Sequence, residues 1–240
     1  MDAEKVDPNP TPRASLPKEL RRWGRIVHSL YMQRVVGFPV PSAPHFDAVS
    51  TPFFIERLEQ ARSYLEFGSG GSTFLAAALG KSFVTIESDR YFLNAVAAKI
   101  GSRGHSIDPS RQRLMHIDIG LTEAWGKPVF RKPTAARRER WRRYFTAPWA
   151  KGAPDFAPDL ILVDGRFRVA CTLEAAARLI HRTDWTILFD DYIGRPHYRI
   201  VEDFLELTEM VGRMAVFRPR SAIDQTRLAR TLEQFASDWR

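Results

Sequence analysis

Short apolar runs alternate with helical stretches along most of the chain. Ser63-Tyr-Leu-Glu-Phe67, Ser82-Phe-Val-Thr-Ile86 and Arg113-Leu-Met-His-Ile-Asp118 read as strands. Asp159-Leu-Ile-Leu-Val163 and Trp185-Thr-Ile-Leu-Phe189 are almost continuously apolar, the pattern of strands buried on both faces. Met214-Ala-Val-Phe217 adds a further strand. Between them, residues 73–79, 91–100 and 169–180 carry helical spacing, and another helix is predicted from about His197 to Leu207. Upstream, residues 16–36 predict a helix with Trp23, Ile26, Val27 and Leu30 on one side. A proline-punctuated loop, Phe38 to Pro44, follows. Thr51-Pro52 then reads as an N-cap with proline at the first helical position. Residues 222–239 predict an amphipathic docking helix.

Strands alternating with helices predict βαβ units. The expected fold is α/β, a doubly wound, mainly parallel Rossmann-like sheet with helices on both faces. Ligands then belong at the carboxyl ends of the strands. One domain over residues 16–240 is expected, after a proline-rich, disordered tail at 1–15. Hydrophobic residues at 44% and charged residues at 27% are globular proportions and exclude wholesale disorder. Cys171, the single cysteine, forbids an intrachain disulfide and reads as core. Without a leader pattern or a run of ~18 apolar residues, a cytoplasmic protein is expected, with no membrane partner. The net charge of +8 is concentrated between Arg131 and Arg143, where seven basic residues face Glu139 alone.

The strand ends carry the candidate chemistry. The first ends Glu66-Phe-Gly68-Ser69-Gly70-Gly71-Ser72-Thr73, a turn tight enough for a ligand to approach its backbone, opening a helix N-terminus. The sixth position from Gly68 is Thr73, so the dinucleotide G-x-G-x-x-G fingerprint lacks its third glycine. This disfavours a nicotinamide-dependent dehydrogenase. Glu87 ends the second strand, about 20 residues beyond the turn, where a carboxylate can accept both hydroxyls of a ribose. Asp118 ends the third, where it can accept from an adenine amino group.

Glu66-x-Gly68-x-Gly70, Glu87 and Asp118 together resemble the cofactor half of the class I S-adenosylmethionine-dependent methyltransferases, over roughly residues 50 to 217. The resemblance implies that Glu66, Gly68, Ser69 and Gly70, with Ser72 and Thr73 at the helix start, line the methionine end of the cofactor. Glu87 would hold the ribose and Asp118 lie near the adenine. Ser72 stands where the family has a third glycine. The C-terminal helix departs from the family's closing antiparallel strand pair. Asp164 after the fourth strand and Asp190-Asp191 after the fifth resemble the metal-dependent catechol and caffeoyl-CoA O-methyltransferases. That likeness implies a Mg²⁺ site on Asp164, Asp190 and Asp191, with Asp191 in place of the family's asparagine. The alternative is that Asp164 meets cofactor or substrate directly and Asp190 caps its loop.

Arg166 and Arg168 flank the site and can bind an anionic or vicinal-diol group, or pair internally with Asp190 or Asp191. His197 is a candidate base. Residues 121–158 form a basic helical insertion whose Trp141, Tyr144 and Trp149 can stack nucleic-acid bases, cover the site as a lid, or pack on the sheet. A lid or a solvated helix is favoured over a nucleic-acid partner, since no RNA-binding signature accompanies it. The expected function is S-adenosylmethionine-dependent methylation of a small-molecule or saccharide-like acceptor at oxygen, with Asp164, Arg166 and His197 as catalytic candidates. The rival is a non-catalytic binding module on the same fold that uses the basic helix 131–144.

Overall fold

The computed structural model describes residues 17–150 and 156–240. The expected tail at 1–15 and part of the insertion lie outside them. Helix α1 (Lys18–Tyr31) runs into a π turn, Met32–Val36, that ends at Gly37 with φ +80°. Its buried side carries Ile26, Ser29 and Gln33, while Trp23 and Val27 stay exposed, contrary to the expected apolar side. Polar anchors set the helix's rotation. Gln33 Nε2 donates to Asp89, and Arg22 Nη2 donates to the Val129 carbonyl at 2.7 Å. Helix α2 (Ser50–Gln60) begins one residue before the predicted cap. Asp47 does the capping, accepting from the Val49 and Ser50 N–H groups at 2.9 Å each.

The alternating core follows: β1 (Ser63–Phe67), α3 (Gly71–Ala78), β2 (Ser82–Glu87), α4 (Arg90–Ser102) and β3 (Gln112–His116). A two-stranded hairpin, β4 (Thr122–Glu123) and β5 (Lys127–Pro128), precedes α5 (Ala135–Thr146). Then come β6 (Leu160–Val163), α6 (Arg168–Arg178), β7 (Thr186–Phe189), β8 (Leu205–Val211), β9 (Met214–Pro219) and α7 (Gln225–Phe235). The seven-stranded sheet has the order β3-β2-β1-β6-β7-β9-β8. Its first five strands are parallel, and β9 and β8 add on antiparallel. The order reverses between β1 and β6, so the crevice above their carboxyl ends is the place for a ligand.

Two apolar layers cover the sheet. One packs α5, α6 and α7 against Leu65, Phe67, Ile161, Val163, Ile187 and Phe189. The other packs α2, α3 and α4 against Tyr64, Phe83, Leu160, Leu162 and Leu188. Period-two alternation produces this division, since neighbouring strand residues face opposite layers. The helix expected from His197 to Leu207 divides in two. Pro196–Asp203 form a 3-10 turn, and Leu205 onwards pairs with β9 as the edge strand. The family's closing strand pair is therefore present, with α7 following it. Among the described residues no helix is long and apolar enough to cross a membrane.

Helix α5 of the insertion packs on the sheet. Trp141, Tyr144 and Phe145 are buried on the sheet, and Trp141 Nε1 donates to the Ile119 carbonyl at 3.0 Å. Arg138, Arg140 and Arg143 remain exposed. Burying each large aromatic is worth about 1.5–3 kcal/mol, which fixes the face α5 turns inward.

Candidate functional site

The turn after β1 is built by its own polar side chains. Glu66 is fully buried and accepts from the hydroxyls of Ser72, Thr73 (2.6 Å) and Thr85 (3.0 Å). Thr73 Oγ1 also accepts from the Gly70 N–H at 3.0 Å, tying the turn to the helix it opens. Burial pushes the Glu66 carboxyl up to about 7, against the pull of the three hydroxyl donors. The side chains of Glu66, Ser72 and Thr73 thus shape the turn from within. What the turn offers outward is backbone. The first helical bond of α3 is Phe74 N–H to Gly70 C=O, and the N–H groups of Gly71, Ser72 and Thr73 have no acceptor among the described residues. A Cβ added at Gly70 would meet nothing within 4 Å, so space stands open above it. At Gly71 the Ala43 carbonyl closes the Cβ side, so the opening at this helix start lies above Gly70.

Gly68 has φ +104°, and a Cβ there would stand 2.8 Å from the N and Cα of Gly165. At Gly165 a Cβ would fall 2.3 Å from the Tyr144 hydroxyl and 2.9 Å from the Gly68 N. The two loops that end β1 and β6 therefore meet backbone to backbone, and Tyr144 of the insertion closes the contact from outside.

Glu87 faces back to the same turn. Its Oε2 accepts from Ser69 N–H and Oγ, each at 2.9 Å, and its Oε1 accepts from the N–H groups of Ser88 (2.6 Å) and Asp89 (2.8 Å). The hairpin tip lies alongside, for a Cβ at Gly126 would stand 3.8 Å from Glu87 Oε1. Asp118 is set apart. It is exposed, accepts from Gly120 N–H at 2.8 Å and faces Arg140 of α5 at 3.6 Å.

The carboxylates after β6 and β7 have arginine partners, which corrects the expected metal site. Asp190, buried, is gripped by Arg213 through Nε–Oδ1 at 3.0 Å and Nη2–Oδ2 at 3.1 Å. Asp191, at φ +56°, meets Arg195 at 2.8 Å and Arg213 at 3.1 Å. Asp164 meets Arg168 at 3.1 Å. Arg168 is buried, and its fork also donates to the carbonyls of Gly165, Asp190 and Asp164, pinning the ends of β6 and β7 together. These cations supply the compensation that Mg²⁺ would have supplied. Among the described residues no group of three His, Cys, Asp or Glu side chains is arranged to hold a metal ion.

Asp164 is the least neutralised of the three. Its side chain keeps about a third of its surface open. Desolvation holds its carboxyl up to about 7; Arg168 pulls it down, and Asp190 and Asp191 push it up. Arg166 lies half-buried two residues on, with its Nε enclosed and without an acceptor. His197 packs on Tyr198, ring centroids 4.3 Å apart. Burial first, and then Arg240, lower its pKa, with Asp238 opposing. It makes no hydrogen bond to the strand-end carboxylates. Cys171 is buried in α6 and its thiol is pushed up by burial, as a core residue's should be.

Sequence reasoning missed Tyr144 as a wall of the site, Gly165, Gly126 and Arg213. Trp141, Tyr144 and Phe145 at helical spacing were the readable signal for an inward face. Arg213 had none, because it reaches Asp190 from the turn between β8 and β9.

No family model matches the chain, and no curated protein matches it. Solved structures do. A methyltransferase-like protein from Silicibacter pomeroyi is 31% identical, with a TM-score of 0.68, covering 82% of this chain and 100% of its own. The S-adenosylhomocysteine-bound methyltransferase PaMTH1 of Podospora anserina is 12% identical, with a TM-score of 0.38, covering 95% of this chain and 89% of its own. The N-methyltransferase NodS of Bradyrhizobium japonicum is 12% identical, with a TM-score of 0.38, covering 70% of this chain and 93% of its own.

Proposed function

The chain belongs to the class I S-adenosylmethionine-dependent methyltransferase superfamily, and from that premise we propose that it methylates a small-molecule or saccharide-like acceptor at oxygen. The observation that carries the reading is Asp164: a partly open carboxylate poised near 7, in the loop that abuts the glycine turn. Bound S-adenosylmethionine supplies an electrophilic methyl group. The chain's own work is to align the acceptor with it, exclude water and take the acceptor's proton. In this reading the N–H groups of residues 71–73 hold the methionine end of the cofactor and Glu87 holds its ribose. Asp164 accepts the hydroxyl proton through an ionised Oδ, and Arg168 keeps its loop in place. Asp164 takes this role in preference to His197, which lies beside the C-terminal segment. No step runs through a metal ion.

Calorimetry with S-adenosylhomocysteine tests the cofactor half. Wild type should bind, and Glu87→Ala should bind at least tenfold more weakly, about 1.4 kcal/mol. Equal affinity in Glu87→Ala removes the ribose assignment, and no binding by wild type removes the methyltransferase reading. Asp164 itself is tested by rate. For a base with a pKa near 7, methyl transfer should rise about tenfold between pH 6 and 8 and then level off. Asp164→Asn should abolish the rise together with most of the rate, with S-adenosylhomocysteine affinity within twofold of wild type.

A further inference from the structure

We propose that Arg166 binds an oxyanion on the acceptor, so that the molecule methylated is a hydroxyl compound that also carries a carboxylate or phosphate group. The inference rests on the methyltransferase reading of this site and names its substrate class. Four arginines stand around the strand-end carboxylates. Arg168, Arg195 and Arg213 are each paired with Asp164, Asp190 or Asp191. Among the described residues Arg166 alone of the four has no carboxylate within ion-pair distance, and its enclosed Nε has no acceptor.

An enclosed donor left without a partner is costly, and more so when it is charged. Such a group calls for an explanation, and a ligand that supplies the missing acceptor is one. The position supports it. A Cβ at Gly126 would stand 3.9 Å from Arg166 Cγ and 3.8 Å from Glu87 Oε1, so the arginine stem and the ribose carboxylate border the same hairpin tip. On its other side, Arg166 N–H approaches the Tyr144 hydroxyl at 3.5 Å, and Asp164 is two residues away. Glu87 does not satisfy the guanidinium, because backbone N–H groups and the Ser69 and Ser88 hydroxyls already occupy both its oxygens. The planar fork of arginine matches a carboxylate or phosphate with two parallel hydrogen bonds, which a neutral acceptor group cannot return as strongly.

The test is calorimetric. Protein saturated with S-adenosylhomocysteine is titrated with 4-hydroxybenzoate and with glucose 6-phosphate, each against its neutral counterpart, 4-hydroxybenzamide or glucose. Wild type should prefer at least one charged probe by tenfold or more. Arg166→Met should bring that preference to within twofold, and Arg166→Lys, which keeps the charge and guards against a folding defect, should retain part of it. S-adenosylhomocysteine affinity should stay within twofold in both variants. A parallel loss of that affinity in Arg166→Met overturns the proposal, since the guanidinium then serves the cofactor's own carboxylate. Equal binding of charged and neutral probes by wild type overturns it, as does binding of neither charged probe. If wild type fails to bind S-adenosylhomocysteine at all, the methyltransferase reading is what has failed. Inorganic phosphate titrated into the free protein then decides the anion site: binding lost in Arg166→Met supports it, and no binding in wild type overturns it.

Discussion

Glu66 shows how a buried residue can define a turn from within. It is sealed from water, and its three hydroxyl donors hold the start of α3 against the end of β1. Its pKa is raised from 4.5 to about 7 in the folded protein. A raised carboxyl binds its proton more tightly when folded, so its stabilising contribution is complete below 4.5 and fades as pH climbs through 7. Glu66→Gln removes the titration while keeping an acceptor for the hydroxyls. The stability of wild type minus that of Glu66→Gln should therefore fall between pH 5 and pH 8. Urea midpoints at the two pH values check this, and a constant difference would show that the carboxyl titrates normally.

At the scale of elements, the Asp190–Arg213 ion pair adds to the strand pairing that ties β7 to the β8–β9 hairpin. Asp190 is only 1% exposed in its side chain, and Arg213 closes it off from the turn after β8. Arg213→Ala leaves a buried carboxylate without its partner and should cost about 3 kcal/mol, at the low end for such losses because Arg213 is partly in water. Adding Asp190→Asn should recover a good part of it, as a double-mutant cycle by denaturant unfolding would read. This pair also marks the limit of what the chain's pattern tells. The five parallel strands were legible because β6 and β7 are almost continuously apolar and because β1, β2 and β3 alternate with helical stretches. The glycine turn and Glu87 were legible because spacing along the chain fixes where strand ends fall. The charges of Asp164, Asp190 and Asp191 were legible too, and so was Arg168 as an internal partner, but Arg195 and Arg213 were not. Arg195 and Arg213 reach them from loops whose path depends on β8 being a strand. That segment looked helical, since an edge strand with one buried face gives a weak alternation.

The whole molecule is closed on one side by its C-terminal segment. Helix α7 buries Leu228 and Ala236 in the layer beneath α6, Arg131 lies over the Trp239 ring at 4.6 Å, and Phe167 N–H points to the Trp239 carbonyl at 3.5 Å. Residues 222–240 thus brace both the insertion and the loop between Asp164 and α6. Removing them should cost about 3 kcal/mol or more from Leu228 and Trp239 alone. It should also weaken S-adenosylhomocysteine binding, because Phe167 and its loop lose their support. A melting curve with and without that ligand would separate the effects. Loss of stability with an unchanged ligand-induced shift would confine the helix to a purely structural part.

The backbone contact between Gly68 and Gly165 has an evolutionary consequence. Neither position can accept even a methyl group while the other loop and the Tyr144 hydroxyl stay where they are. Drift at one is vetoed by the other, although the two are far apart in the chain. Descendants of this sequence therefore inherit the spacing between the β1 and β6 loops as a single unit.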